Sequence, residues 1–180
     1  MSRIHLIEPS EKYAADLWAF RQEILHHDAA NEDQFAGCLS LDSCKTPEEW
    51  IRICRLRKHA DSCRQTGTDV PSHMFLAVRE EDGRIVGAID LRRHIDHPVL
   101  GTWGGHCGYS VRPSERGKGY AARMLRLNME KAKELGIEKL LVTCNEKNIA
   151  SENVIIKCGG VYESTLAVGD SCIKRYWITL

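Results

Sequence analysis

Residues 108–121, read as GYSVRPSERGKGYA, dictate a local architecture more firmly than any other part of this chain. An apolar stretch ends at Arg112-Pro113-Ser114-Glu115, and a glycine-rich loop then opens straight into a helical pattern. Strand, loop and helix in that order turn the unpaired first amides of the helix back toward the strand end. Glycines at 117 and 119 remove side chains, so successive N–H groups can converge on one anion. The positive end of the helix dipole and the charges of Arg116 and Lys118 add to that attraction. The stretch predicts a seat for a pyrophosphate.

Spacing excludes two other phosphate loops. A Walker loop needs G-x-x-x-x-G-K-[ST], but Lys118 is followed by Gly119 and no glycine stands at the required upstream position. The dinucleotide fingerprint G-x-G-x-x-G fits only loosely, with Ala122 in place of its third glycine, and no regular βαβ unit opens the chain.

The remaining segments supply a mixed α/β context. Glu11 to His27 carries Tyr13, Ala14, Leu17, Trp18, Phe20, Ile24 and Leu25 at helical spacing, with Ser10 as its expected cap. Thr46-Pro47-Glu48-Glu49 reads as the start of a second helix: a capping hydroxyl, a proline suited to the first position and two acids at the dipole's positive end. Met74 to Val78 and Ile85 to Leu91 are short apolar runs joined by Asp82-Gly83, which predicts an antiparallel hairpin. His94 to Gly105 reads as a connection. A strand over 107–111, a helix over 119–135 ended by Gly136, a strand over 139–144 and a helix over 150–157 follow. Strands around Val161-Tyr162 and 173–178 finish the chain. The expected fold is α/β (α+β): one domain over 1–180, with a mixed, mostly antiparallel central sheet flanked by helices.

Composition narrows the function classes. Basic and acidic side chains number 25 each, so the formal net charge is +0 and a nucleic-acid partner is not expected. No run approaches the roughly 20 apolar residues that span a bilayer, and Met1 to Pro9 lacks a signal-peptide pattern, so a cytoplasmic protein with no membrane partner is expected. Eight cysteines lie scattered without a C-x-x-C pair, which reads as reduced packing thiols rather than a zinc site. His94, Asp96 and His97 read as a solvated loop, so no metal is expected.

Arg116-Gly117-Lys118-Gly119-Tyr120-Ala121, after Val111-Arg112-Pro113, resembles the acetyl-CoA loop R-x-x-G-x-[GA] of the GNAT superfamily of N-acetyltransferases. Asn148-Ile149-Ala150-Ser151 through Lys157-Cys158-Gly159 resembles the family's second element, N-x-x-[AS] followed by a helix and K-x-G. The likeness spans roughly 74–176. It implies acetyl transfer from acetyl-CoA to a primary amine, on a small-molecule or peptide acceptor, by direct attack in a ternary complex. The alternative is a non-catalytic CoA-binding module, and a homodimer is an admissible assembly.

The resemblance also implies residue roles. The strand at Tyr109, Ser110 and Val111 would meet the pantetheine arm, and amides of Arg116, Gly117, Lys118, Gly119, Tyr120 and Ala121 would hold the pyrophosphate. Asn148 and Ser151 would touch the cofactor from the far side, although Asn148 is equally suited to capping its helix. An amine of pKa about 10.4 is only about 0.04% neutral at pH 7, so a base or water relay is useful. Many relatives place a glutamate where this chain has His106, which makes His106 the expected base. Many also carry a tyrosine acid where this chain has Ile155. The acid is then absent, or supplied by Tyr162 or Tyr109.

Overall fold

Asp82 and Gly83 turn β2 (Ser72–Arg79) back onto β3 (Ile85–Arg92), with Ser72 opposite Arg92 and Ala77 opposite Gly87. The Asp82 carboxylate holds the turn by accepting the Arg84 amide and the Arg79 guanidinium. β1 (Ile4–Ile7) pairs with the outer edge of β2, and β4 (Tyr109–Val111) with β3. The computed structural model describes residues 2–29 and 34–180. Among them a second sheet contains β5 (Lys139–Asn145), β6 (Val161–Val168) and β7 (Ser171–Thr179) in the order β5-β7-β6. Every pairing within the two sheets is antiparallel.

Helices cover both faces, which is why the strands read as continuous apolar runs. α1 (Ala14–His27) and α2 (Pro47–Arg57) bury Leu17, Phe20, Ile24, Trp50 and Ile51 against Met74, Leu76 and Val78 of β2. α4 (Tyr120–Glu134) and α5 (Ile149–Lys157) bury Met124, Leu125 and Ile155 against Phe75 and Ala77 of the same strand. Alternate β2 side chains thus serve opposite cores, as a period of two requires. Burying each large aliphatic or aromatic side chain contributes about 2 kcal/mol. A short helix, α3 (Ala60–Cys63), follows α2.

Local chemistry explains most element ends. Thr46 Oγ1 accepts the Glu49 amide at 3.2 Å, with Pro47 in the first turn, as the sequence predicts. Asn148 Oδ1 accepts the Ser151 amide at 3.0 Å and caps α5. Ser10 makes no such bond: a 3-10 turn over Glu11–Tyr13 intervenes before α1.

One strand is an addition and two expectations need correction. β1 has four residues, too few for periodicity to declare it. β6 runs to Val168 and forms a hairpin with β7, well beyond Val161-Tyr162, because its mostly exposed, polar-mixed sequence hides the strand. The expected single central sheet is split between β4 and β5, and β4 begins only at Tyr109. The split has its vertex at His106, where His106 N donates to Leu141 O (2.8 Å) and Leu141 N donates to His106 Nδ1 (2.9 Å). Gly105 sits at that vertex with φ +67°, and a side chain there would meet Leu141 O at 2.7 Å.

The connection after β3 contains a π-helical turn, Leu100–Gly104, held by side chains around the vertex. Arg92 Nη1 donates to Gly104 O and Gly105 O, Thr143 Oγ1 to Trp103 O, and Arg175 to Gly101 O and Thr102 O.

Candidate active site

Beyond the His106 vertex, β4 and β5 share no ladder, and a wedge opens between them. Ser110 pairs with Ala88 of β3, so the flanking backbone groups of Tyr109 and Val111 turn toward the wedge. Ser110 is turned away on both counts, since its Oγ donates to Ala36 O (2.8 Å) on the α1–α2 connection. That corrects its expected cofactor contact. Val111 offers its edge at a cost, because its carbonyl already accepts Arg116 Nε at 3.2 Å.

The wedge leads to the glycine loop and the start of α4. Gly117 and Gly119 have φ +74° and +77°, the left-handed region that glycine enters freely. Gly119 is the N-cap and has no side chain to cap α4, whereas Thr46 caps α2 and Asn148 caps α5. The first amides of α4 therefore have no side-chain partner at the cap, and these are the donors an anion would satisfy.

The two loop cations are already engaged. Arg116 forms a bidentate pair with Asp28, a carboxylate 8% exposed at the end of α1, with Nη1 to Oδ1 at 2.8 Å. Lys118 Nζ bonds Glu115 Oε2 (2.9 Å) and Ser114 O (3.2 Å). Burial by itself would raise the Glu115 carboxyl, but hydrogen bonds and charges from Lys118 and Arg79 hold it below the ordinary range. Charge at the loop is thus internally compensated, and its amides are the groups left to bind.

Across the wedge, Tyr109 OH lies 2.8 Å from Ser151 Oγ on α5. Burial raises the Tyr109 phenol well above its usual range, and the Ser151 hydrogen bond partly offsets this. Asn148 commits Oδ1 to its cap, the alternative role foreseen for it. Tyr162 lies elsewhere. It is 55% exposed on β6, two strands away from β5, and its OH pairs with Thr165. Strands stand about 4.8 Å apart, so roughly 10 Å separates it laterally from the wedge.

His106 is at the wedge but is not free to act as a base. A neutral imidazole has one lone pair on nitrogen, and here Nδ1 spends it on the Leu141 amide. Burial, with the nearby Arg92 charge, lowers its pKa to about 4. The ring also packs edge-on against Trp177 at 6.3 Å. This geometry makes it a clamp for the vertex, which sequence alone cannot distinguish from a base.

The sequence matches the model of the acetyltransferase (GNAT) domain over residues 3–161. The chain belongs to the GNAT acetyltransferase family. This GNAT chain shares its fold with RimL, a ribosomal L7/L12 α-N-protein acetyltransferase solved with coenzyme A. That match has a TM-score of 0.68 at 17% identity and covers 100% of this chain and 96% of that one. The microcin C7 self-immunity acetyltransferase MccE, in complex with acetyl-CoA and AMP, matches with TM-score 0.68 at 15% identity over 100% and 94%. The GNAT domain of S. lividans PAT matches with TM-score 0.62 at 15% identity over 99% and 90%. A search of curated proteins finds no match. GNAT enzymes use acetyl-CoA, and among the described residues no three His, Cys, Asp or Glu converge as a metal site. No helix among those residues is long and apolar enough to cross a membrane.

Polar residues to which the apolar patterns assign no role lie behind the site. Asp90 interrupts the apolar run of β3, and Asn128 falls on the buried face of α4 beside Met124 and Leu125; both are completely buried. A fully buried acid inside a strand is rare enough to serve as a signal.

Proposed function

We propose that this GNAT acetyltransferase moves the acetyl group of acetyl-CoA to a primary amine by direct attack in a ternary complex. The observation that carries the reading is the open edge of β4 leading into an uncapped helix start. Backbone groups of Tyr109 and Val111 would hold an extended amide-bearing arm. Amides from Gly117 to Ala121 would take the pyrophosphate, the expected Arg116 amide being already donated to Pro113 O at 3.3 Å, with the Arg116 and Lys118 side chains contributing only as far as their carboxylates release them. Ser151 would support the arm from α5, and Asn148 would position Ser151 by capping.

Bound acetyl-CoA supplies an activated acyl carbon and a thiolate leaving group. The chain supplies backbone N–H groups facing the wedge to polarise a carbonyl, the kind of preorganised donor that dominates many rate enhancements. With Ile155 unable to donate a proton, Tyr109, at the edge of the wedge, would be the hydroxyl that protonates the thiolate. Burial raises the Tyr109 pKa, which holds the proton more tightly, and the Ser151 hydrogen bond offsets part of that by stabilising the phenolate as the proton leaves. With Nδ1 of His106 occupied, the amine proton leaves to water. RimL and MccE, by their names, act in different settings, so the acceptor remains a small-molecule or peptide amine.

Calorimetry with CoA, then thiol release from acetyl-CoA across an amine panel, tests the proposal. CoA binding with release by at least one amine is expected. No CoA binding would overturn it; binding without release by any amine would leave a CoA-binding module instead of an enzyme.

A further inference from the structure

A regular antiparallel ladder between β3 and β4 would exchange two hydrogen bonds between Asp90 and Gly108, and two more between Arg92 and His106. Only half of each exchange is made. Asp90 N donates to Gly108 O at 3.1 Å, and Arg92 N donates to His106 O at 2.8 Å. The returning donors go elsewhere. His106 N reaches Leu141 O on β5, and Gly108 N reaches the carboxylate of Asp90, Oδ1, at 2.6 Å. The Asp90 carbonyl thereby loses its ladder partner, and Asn128 Nδ2 on α4 takes that place at 3.1 Å. Arg92 secures the arrangement, with Nε 3.0 Å from Asp90 Oδ2.

One ordinary ladder bond has thus been replaced by two completely buried polar side chains, each bonded through one atom, with Asp90 Oδ2 held only by its ion pair to Arg92 and Asn128 Oδ1 left without a hydrogen-bond partner. Burying such groups is costly unless each is paired, and apolar residues at both positions would have let the ladder run on. What the substitution produces is a strand whose start leans from β3 toward β5. The lean begins one residue before Tyr109, the first residue whose backbone faces the wedge.

We propose that Asp90 and Asn128 are positioning residues for acetyl transfer: they set the start of β4 so that the Tyr109 amide meets the carbonyl of the bound thioester. Neither touches the cofactor. The inference rests on the acetyltransferase reading of the wedge, and its test separates the two. It predicts an effect on the acyl end of the cofactor and little on the pyrophosphate end, which the loop at 116–121 holds at the other end of β4.

The full chain is compared as wild type, Asp90→Ala, Asp90→Asn and Asn128→Leu. Three readouts are used: calorimetric affinity for CoA, turnover with a responsive amine, and the infrared carbonyl band of bound acetyl-CoA carrying carbon-13 at the thioester. Asp90→Ala is expected to keep CoA affinity within about threefold. Its bound carbonyl band should shift toward that of free acetyl-CoA, and kcat should fall about 100-fold, the scale of a misplaced donor. Asp90→Asn, which keeps an oxygen for the Gly108 amide, should restore most of both signals. Asn128→Leu should move the band in the same direction as Asp90→Ala. A folded Asp90→Ala with the wild-type band and turnover overturns the proposal. So does a band left unmoved while CoA affinity and thermal stability fall together, the pattern of a merely structural pair. If Asp90→Ala does not fold, a wild-type band in Asn128→Leu overturns it. A wild type without CoA affinity overturns the reading of the wedge itself.

Discussion

Replacing His106 with asparagine separates a clamp from a base. The asparagine oxygen can still accept the Leu141 amide, but the side chain does not titrate. In the wild type, burial lowers the His106 pKa from 6.5 to about 4, and the ring is only 6% exposed. The folded state therefore binds fewer protons than the unfolded state between those two values. Stability is full above about pH 6.5, falls as the pH drops through the window, and is lower by about 3 kcal/mol at about pH 4. Urea unfolding of both proteins at about pH 7.5, 6, 5 and 4 measures the difference. At an m-value of about 2 kcal/mol per M, the wild-type midpoint should lose about 1.5 M more than the variant's across this range. Parallel stability curves would refute the buried neutral imidazole. The rate profile gives an independent check. With Nδ1 occupied, wild type and variant should show the same pH dependence of kcat/KM; a limb near neutral pH that vanishes in the variant would restore His106 as the base.

Gly119→Asp should weaken CoA binding about 100-fold, because it sets a carboxylate against the pyrophosphate at the helix start; unchanged calorimetric affinity in a folded variant removes the loop from the site. Tyr109→Phe should lower kcat about 100-fold while leaving CoA affinity within about threefold, and an unaltered kcat would exclude the phenol as the acid. Thr46→Ala should cost about 1 kcal/mol through loss of the α2 cap, seen as a melting point about 2–4 °C lower; equal melting would show that the Glu49 amide finds another partner.

Short-range chemistry is what the chain displays openly. The Asp82-Gly83 hairpin, the Thr46 cap and the glycine loop before α4 each depend on residues within a few positions of one another, and each is visible as a motif. What stays hidden depends on partners far apart in the chain. Asp28 reaches Arg116 across 88 residues, and Leu141 occupies the His106 lone pair across 35. A histidine before a strand looks the same whether its nitrogen is free or filled, so the base assignment follows naturally from the pattern and fails only when β5 is in place. Ser110 illustrates the same limit: the motif locates its backbone on β4, but only the register with Ala88 shows that it faces away from the wedge.

The distribution of charge around the loop follows from this long-range pairing and changes the account of binding. Arg79, Arg84, Arg112 and Lys118 face Asp16, Glu23, Asp82 and Glu115 in a continuous set of ion pairs, and Arg116 forms a separate pair with Asp28. A diphosphate approaching Arg116 must compete with a carboxylate already bound through two hydrogen bonds, so the gain is the difference between two anions rather than a full new attraction. The amides of the α4 start face no such competitor at the cap. On the proposed reading, selectivity for a phosphate at this position would fall to backbone geometry, and the glycines at 117 and 119 would matter more to the site than the charges that flank them. Because Asp28 closes α1, whatever Arg116 gives to a bound phosphate it withdraws from the end of that helix. On the proposed reading, cofactor binding and the packing of α1 would in this way be parts of one electrostatic exchange.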